Sequence, residues 1–394
     1  VSLTGSALME VGLDNQNATF SGVMSGTGRF QKGGTGVQTL TGANTYTGTT
    51  TVAGGTLRMG TGGSLSSATD LTGNNATFDL NDISVAIDAL GGHGPVTFGP
   101  NALITDELTV GSNNGSGTFT GTISGSGRLR KVGSGTQTLT GNNSYTSITS
   151  FDGGILSTSS LSNLGTGPSL QFDGGSWQVT GNITTGRDFV IDSGSSATVD
   201  VTSGNTLTLL DAVTVELFGS GGDFTKSGAG TIEYTDGWGY FGDTFVSGGT
   251  LRSTGGNLPN QSDIVVSVGA TWDLNGNSDT VKSIAGAGII RLGGGTLTVN
   301  QNGGSTTFTG NILESGGLTK DGTHTLELGG LNDYGGPTTI NNGTIQISED
   351  FHLGDPTNDL VFGGGELFIA SSDVAFNAAR LVTLNAGGGT FFLE

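Results

Sequence analysis

The sequence contains no cysteine in 394 residues, which excludes disulfides, thiolate catalysis and cysteine-based metal sites. Lysine and arginine number 13 against 33 aspartates and glutamates, so we expect no nucleic-acid partner, because such partners bind basic patches. No apolar run is long enough for a membrane helix, so we expect no direct insertion of this segment into a membrane. The three histidines, His93, His324 and His352, have no metal-binding spacing. We therefore expect no metal and no other cofactor.

Glycine is abundant, with 76 residues, whereas proline numbers only 6. Glycines every few residues exclude a mainly helical protein, because each one weakens a helix interior. They keep no period of three, which excludes collagen. Disorder requires low hydrophobicity and high charge, whereas 33% of this chain is apolar and only 12% is charged. Short runs rich in Thr, Val, Ile and Phe, separated by Gly, Asn, Asp and Ser, predict an all-β protein.

A motif occurs four times without gaps, at residues 32–57, 131–156, 226–251 and 320–345. Each copy begins with a lysine, has a tyrosine 14 residues later and a glycine 23 residues later. The chain holds five lysines, and four of them occupy this one position. The recurring residues are Lys32, Lys131, Lys226 and Lys320, then Tyr46, Tyr145, Tyr240 and Tyr334, then Gly55, Gly154, Gly249 and Gly343. The repeating unit is therefore about 95–99 residues long.

Within each unit, strand-like segments recur after roughly 18 to 25 residues, the size of one solenoid coil. Such short strands require neighbours on adjacent coils, and parallel crossovers are right-handed. We predict that residues 1–394 form one continuous right-handed parallel β-helix, truncated part-way through a unit at both ends. The alternatives are a four-bladed β-propeller and a string of β-sandwich domains. Propeller blades are usually half as long, and sandwiches need more aromatic residues.

The pattern G-x-G-T-x-T-L-T-G-x-N-[TS]-Y-T, followed by T-T-x-[VF]-x-G-G-x-L, resembles the autotransporter-associated β-strand repeat. Residues 34–57 and 133–156 carry it most clearly, and 228–251 and 322–345 are divergent copies. The resemblance implies a passenger domain of a type V secreted bacterial surface protein. It implies an extracellular or cell-surface location, either anchored to the outer membrane through a domain outside this sequence or released.

The motif residues allow two interpretations each. The lysines either bind an acidic glycan or protein from the surface, or lie at a coil corner paired with a carboxylate of an adjacent coil. The tyrosines, with Trp238 beside Tyr240, either stack on sugars or cover a coil corner while the hydroxyl contacts water. We expect structural roles for both residue types.

Paired carboxylates are the candidates for catalysis, because a glycosidase needs two carboxyl groups a short distance apart. Four pairs are close in sequence, and none has a basic or histidine partner nearby. The pairs are Asp79 with Asp82, Asp106 with Glu107, Asp188 with Asp192, and Asp273 with Asp279. Turn or solvent-face roles are favoured, so we assign no catalytic residue.

These observations favour a non-catalytic exported rod that acts as an adhesin, an autoaggregation factor or a structural stalk. The expected partners are host or bacterial surface glycans or proteins, or like molecules on neighbouring cells. One alternative is a carbohydrate-active β-helix enzyme, either a polysaccharide lyase or a glycoside hydrolase. Another is a self-assembling extracellular filament subunit, because unpaired strand edges could permit end-to-end self-association.

Overall fold

A computed structural model describes residues 1–101, 106–210, 213–215, 222–371 and 374–393. The described residues form short β-strands joined by turns, with two 3₁₀ helices at Leu161–Leu164 and Asp350–Leu353. The strand pairings between successive coils are parallel. The protein is therefore a parallel β-solenoid, which confirms the predicted fold class. The crossover rule for parallel strands gives the coil its right-handed sense.

The chain divides into two compact units, and the first comprises residues 1–183 and 187–190. Its strands are β1 (Ser2–Leu3), β2 (Leu8–Val11), β3 (Ala18–Phe20), β4 (Ser25–Gly26), β5 (Arg29–Lys32), β6 (Val37–Leu40), β7 (Thr50–Val52), β8 (Thr56–Met59), β9 (Leu71–Gly73), β10 (Thr77–Asp79), β11 (Val85–Ile87), β12 (Leu90–Gly92), β13 (Val96–Thr97), β14 (Glu107–Val110), β15 (Gly117–Phe119), β16 (Ile123–Ser124), β17 (Arg128–Lys131), β18 (Thr136–Leu139), β19 (Thr149–Phe151), β20 (Ile155–Thr158), β21 (Ser169–Phe172) and β22 (Ser176–Val179). Strands β23 (Ile183–Thr185) and β24 (Asp188–Ile191) adjoin the division.

The chain visits three sheets of the first unit in a constant order, with a turn in place of a strand at some coils. The first place in this order is taken by two separate sheets, the pair β1-β4 and the run β11-β14-β17-β19-β21, which we call together the first sheet. The second contains β2-β5-β7-β9-β12-β15-β18-β20-β22, and the third contains β3-β6-β8-β10-β13-β16.

The second unit comprises residues 184–186 and 191–394. Its strands are β25 (Ser196–Val201), β26 (Thr206–Leu209), β27 (Val213–Val215), β28 (Asp223–Ser227), β29 (Thr231–Tyr234), β30 (Thr244–Val246), β31 (Thr250–Ser253), β32 (Asp263–Val266), β33 (Thr271–Asp273), β34 (Asp279–Val281), β35 (Ser283–Gly286), β36 (Ile289–Arg291), β37 (Thr296–Asn300), β38 (Thr306–Phe308), β39 (Asn311–Glu314), β40 (Gly317–Asp321), β41 (Thr325–Leu328), β42 (Asp333–Tyr334), β43 (Thr338–Ile340), β44 (Thr344–Ile347), β45 (Leu360–Phe362), β46 (Glu366–Ile369), β47 (Val382–Leu384) and β48 (Thr390–Leu393).

These strands again form three sheets. The first contains β34-β37-β40-β43-β45-β47, and the second contains β25-β28-β30-β32-β35-β38-β41-β44-β46-β48. The third contains β26-β29-β31-β33-β36-β39-β42. The prediction that residues 1–394 form one continuous β-helix concerns both units together and stays a prediction.

Side chains alternate between inward and outward directions along the strands, and the inward ones form the core. In β8 the side chains of Leu57 and Met59 point inward and are buried, whereas those of Thr56 and Arg58 point outward. Leu57 lies beside Phe78 of the next coil, so inward side chains stack in columns. This repeated burial of aliphatic and aromatic side chains is the main favourable contribution to folding.

Copies of the motif within one unit do not begin on the same sheet. In the first unit, Lys32 ends β5 of the second sheet, whereas Lys131 ends β17 of the first sheet. In the second unit, Lys226 lies in β28 of the second sheet and Lys320 in β40 of the first. The repeat is therefore not a whole number of coils, and equivalent residues of the two copies in a unit face different directions.

Candidate functional site

All four motif lysines are buried, although lysine is rarely found inside proteins. Each ammonium group donates hydrogen bonds to backbone carbonyl oxygens at a turn, an arrangement that we call the carbonyl cage. The acceptors are Gly33, Gly34 (3.1 Å) and Gly54 (3.1 Å) for Lys32; Val132 (2.5 Å), Gly133 (3.3 Å) and Gly153 (3.2 Å) for Lys131; Ser227 (2.5 Å), Gly228 (2.8 Å) and Gly248 (3.0 Å) for Lys226; and Asp321 (2.5 Å) and Gly322 (3.0 Å) for Lys320.

The cage joins two coils, because in three copies it includes the carbonyl of a residue 22 positions after the lysine. The prediction that each lysine pairs directly with a carboxylate is wrong, since these hydrogen bonds go to carbonyl oxygens. A charged group inside a protein needs such bonds to offset the loss of water. The ammonium groups are also too deeply buried to meet an acidic glycan at the surface.

Burial changes the acidity of these lysines. It lowers the pKa of Lys131, Lys226 and Lys320 to about 8, and the pKa of Lys32 is lowered as well. Loss of water around the charged form is the main cause, and a carboxylate at longer range, such as Asp88 for Lys131, partly opposes it. The lysines are therefore interior cations whose charge is costly and is held by the cage.

The motif glycines make the cage possible. Gly55, Gly154, Gly249 and Gly343 all have φ between +57° and +62°, a region that other residues rarely adopt. A Cβ atom on Gly249 would lie 2.1 Å from the carbonyl oxygen of Gly230, and one on Gly154 would lie 2.8 Å from Nζ of Lys131. Only glycine fits both the turn and the space beside the lysine.

The motif tyrosines are also buried, and each hydroxyl pairs with the hydroxyl of a threonine four residues later. The pairs are Tyr46 with Thr50 (2.6 Å), Tyr145 with Thr149 (2.6 Å), Tyr240 with Thr244, and Tyr334 with Thr338 (2.6 Å). Burial raises the pKa of all four tyrosines. The prediction that the hydroxyl contacts water is wrong: the group lies inside the coil and cannot stack on a sugar.

A buried asparagine 12 residues after the lysine was missed by sequence reasoning. Asn44 accepts a hydrogen bond from Met24 N (2.9 Å) on the preceding coil and donates to Ser64 O (3.0 Å) on the following one. Asn143 and Asn332 make the equivalent bonds. We call this arrangement the asparagine bracket. Its signal was the Asn of the N-[TS]-Y stretch, which could have been interpreted as a further recurring position beside the lysine, the tyrosine and the glycine.

The third copy has Trp238 at the bracket position. Trp238 packs against the rings of Phe224 (4.8 Å) and Tyr234 (4.8 Å), and its backbone N donates to Asn257 O (2.9 Å). Its Nε1 is buried without a hydrogen-bond partner among the described residues. Aromatic packing therefore replaces the bracket in this copy, and the ring is not available to a ligand.

In three of the four candidate carboxylate pairs, the two members bind separate partners. Asp79 pairs with Arg58 (2.7 Å), whereas Asp82 accepts from the backbone of Asn101 (3.2 Å). Asp273 pairs with Arg252 (2.8 Å). Asp106 is buried and accepts from Gly99 N (3.1 Å), Glu107 pairs with Arg128, and Asp279 is buried and accepts from Leu258 N (3.0 Å) and Thr280 N (2.8 Å). Asp188 and Asp192 belong to different units, and their arrangement stays a prediction.

Two of these carboxyl groups have a raised pKa. Burial raises the pKa of Asp279 to about 7, and the hydrogen bonds from the backbone of Leu258 and Thr280 only partly oppose it. Burial also raises the pKa of Asp106. Neither pairs with the second carboxyl predicted for it, since Asp273 and Glu107 are held by arginines. These acids are buried structural groups.

The histidines show no ligand arrangement. His352 is buried, and its Nδ1 accepts from Ser348 N (3.3 Å) while its carbonyl accepts from Asn332. His324 Nδ1 lies 3.3 Å from the hydroxyl of Thr323. In the part of the chain that the structure describes, no group of three His, Asp or Glu side chains could hold a metal ion. Nor does any helix there have the length and hydrophobicity needed to cross a membrane.

Three segments of the chain match the model of the passenger-associated-transport-repeat family, at residues 30–59, 129–157 and 318–347. They contain the cages of Lys32, Lys131 and Lys320. The chain is also similar to the adhesin BmaC autotransporter of Brucella suis biovar 1 (strain 1330), with 34% identity over 348 residues. The chain thus carries passenger-associated-transport repeats and is similar to part of an autotransporter adhesin.

The alignment with the Brucella protein covers 80% of this chain but 10% of that relative, so the chain spans about a tenth of its length. No solved structure gives a significant match. The resemblance predicted from the sequence is confirmed. The passenger segment is accordingly located at the bacterial cell surface or outside the cell.

Proposed function

We propose that this passenger segment is a non-catalytic adhesive scaffold. Its coils provide a constant interior, and its outward side chains contact glycans or proteins on a host or bacterial surface, or like molecules on neighbouring cells. The Brucella relative is an adhesin by name, which supports this role.

The observation that carries the proposal is the contrast between inward and outward positions of the motif. Lysine and tyrosine recur inside all four copies, where they stabilise the coil. Seven residues after the lysine, an outward position is Thr39, Thr138, Glu233 or Glu327. This outward residue is therefore a neutral threonine in the first two copies and an acidic glutamate in the last two, on one interior framework, as expected of a contact surface rather than of one active site.

Attachment can be measured with the purified chain coupled to beads and incubated with epithelial cells or with bacteria that lack the parent protein. We expect more attachment than with beads that carry an unrelated acidic protein of similar size. Equal attachment of the two bead preparations would contradict the adhesive role.

The enzyme alternative is tested by incubating the same preparation with neutral and acidic polysaccharides. We expect no new reducing ends and no unsaturated products. Their appearance would show that the segment is catalytic, even if the beads also attach to cells.

A further inference from the structure

Lys282 is the one lysine of the sequence outside the motif, and its side chain is about one-third exposed. It lies at the edge of a polar cavity of about 120 Å³ in the second unit. The other lining residues are Asp263, Ser283, Gln301, Gly303, Gly304, Ser305 and Thr306. The cavity has space for about four water molecules.

Three adjacent strands of the second sheet begin at this cavity, with Asp263 in β32, Ser283 in β35 and Thr306 in β38. Asp263 accepts from Lys282 Nζ (2.7 Å) with one oxygen and from the Ser283 hydroxyl (2.7 Å) with the other. Each carboxylate oxygen can accept a further hydrogen bond, and the ammonium group has further hydrogens to donate. The cavity edge thus offers both donors and acceptors.

Gln301 is buried and holds the loop that closes one side of the cavity. Its Nε2 donates to Gly304 O (2.5 Å) and to the hydroxyl of Thr306 (3.0 Å). Its Oε1 has no hydrogen-bond partner among the described residues. This oxygen is buried, so Gln301 contributes to the cavity by holding the loop and not as an acceptor for a ligand.

Gly303 allows Lys282 to approach the loop. A Cβ atom at Gly303 would lie 2.8 Å from Cε of Lys282 and 3.5 Å from its Nζ. Any larger residue would push the lysine away from the cavity. The position of the ammonium group therefore depends on a glycine of the loop.

The charges of the cavity restrict the ligand class. An anion would face the carboxylate of Asp263, whose backbone N is bonded to the carboxylate of Asp243 (3.2 Å). A cation would face the ammonium group of Lys282. An apolar group would leave the polar lining without partners. A neutral ligand with adjacent hydroxyl groups satisfies both the donors and the acceptors.

We propose that this cavity binds a neutral sugar residue through its hydroxyl groups, with Lys282 and Asp263 as the main contacts. This sugar site deepens the proposed contact with surface glycans and rests on it, but the two can fail separately, because the test below uses sugars in solution and no cells.

The test measures binding of methyl glucoside, methyl galactoside and methyl mannoside to the purified chain by saturation-transfer NMR and titration. Glucuronate serves as the anionic probe and glucosamine as the cationic one. We expect a neutral glycoside to bind better than either charged sugar. Lys282→Met should weaken its binding about tenfold, the effect of one charged hydrogen bond.

Arg291→Met is the matched control, because Arg291 is a similarly exposed cation of the second unit that pairs with Glu314 (2.8 Å). It should leave sugar binding unchanged. Asp263→Asn is a second test, applied only if its thermal unfolding matches that of the natural chain, and it should also weaken sugar binding. Absence of binding by all three neutral glycosides, stronger binding of a charged sugar, or equal loss in the two Met variants would overturn the proposal.

Discussion

The first and third copies of the motif place the same lysine and tyrosine inside the coil but differ at several other buried positions. Twelve residues after the lysine, the first copy has Asn44 and the third has Trp238. Fifty-three residues after the lysine, each copy begins a strand with a buried side chain. This residue is Val85 in the first copy and Asp279 in the third.

The comparison separates required parts of the coil from replaceable ones. A carbonyl cage and a Tyr–Thr hydroxyl pair are present in both copies, whereas the asparagine bracket gives way to a cluster of rings. The third copy also lies outside the segments matched by the repeat family. The cage therefore tolerates divergence around it, and we expect it to contribute most to stability.

The largest expected effect comes from removing one cage. Lys226→Ala deletes a buried stem and leaves three carbonyl oxygens without their donor, which should destabilise the second unit by about 3–5 kcal/mol. Urea unfolding measures this. Lys282→Ala is the control, because it removes an exposed ion pair, and it should cost less than about 1 kcal/mol. Equal losses in both variants would refute the special role of the cage.

The next effect depends on pH, because the third copy has the titratable Asp279 where the first copy has the apolar Val85. The folded chain holds a proton on Asp279 up to about pH 7, whereas the unfolded chain releases it near 3.8. The folded state thus binds more protons between these values, and stability falls as pH rises through that window, by a few kcal/mol.

Asp279→Asn should remove this part of the pH dependence. The difference in unfolding free energy between the variant and the natural chain should therefore shift in favour of the variant from pH 4.5 to pH 8. A difference that stays constant over this range would show that Asp279 is not protonated in the folded chain.

A smaller effect distinguishes the bracket from its replacement. Asn44→Ala leaves Met24 N without its partner and removes one of two hydrogen bonds to Ser64 O, which keeps the bond from the backbone N of residue 44, so the change should cost about 2 kcal/mol. Trp238→Phe removes an indole nitrogen that has no partner among the described residues, so it should cost under about 1 kcal/mol. Thermal unfolding of the two variants provides the comparison, and the reverse order of losses would contradict it.

The smallest effect tests the similarity of the two copies. Tyr46→Phe and Tyr240→Phe each remove one buried hydroxyl from a Tyr–Thr pair and should each cost about 1 kcal/mol. Hydrogen exchange of the amides around each tyrosine reports the local loss. Markedly unequal losses would mean that the two pairs are not equivalent.

Much of the fold could be predicted from the sequence, because alternating apolar residues and glycine-rich turns have a direct physical meaning. The partners of the motif residues could not. A lysine beside glycines is ordinarily interpreted as a surface charge. The carbonyl acceptors of the cage leave no pattern in the sequence, because every residue has a backbone carbonyl. Asn44 was missed for the same reason, and the cavity beside Lys282 depends on a loop that has no repeat.

The cage also has a consequence for life outside the cell. Some exported β-helices bind calcium at their turns, so their folding depends on the calcium concentration of the medium. Here the positive charge between two coils is covalently attached to the polypeptide. It is supplied in fixed stoichiometry with each copy of the motif, cannot be diluted or removed by chelators, and is present as soon as the turn forms.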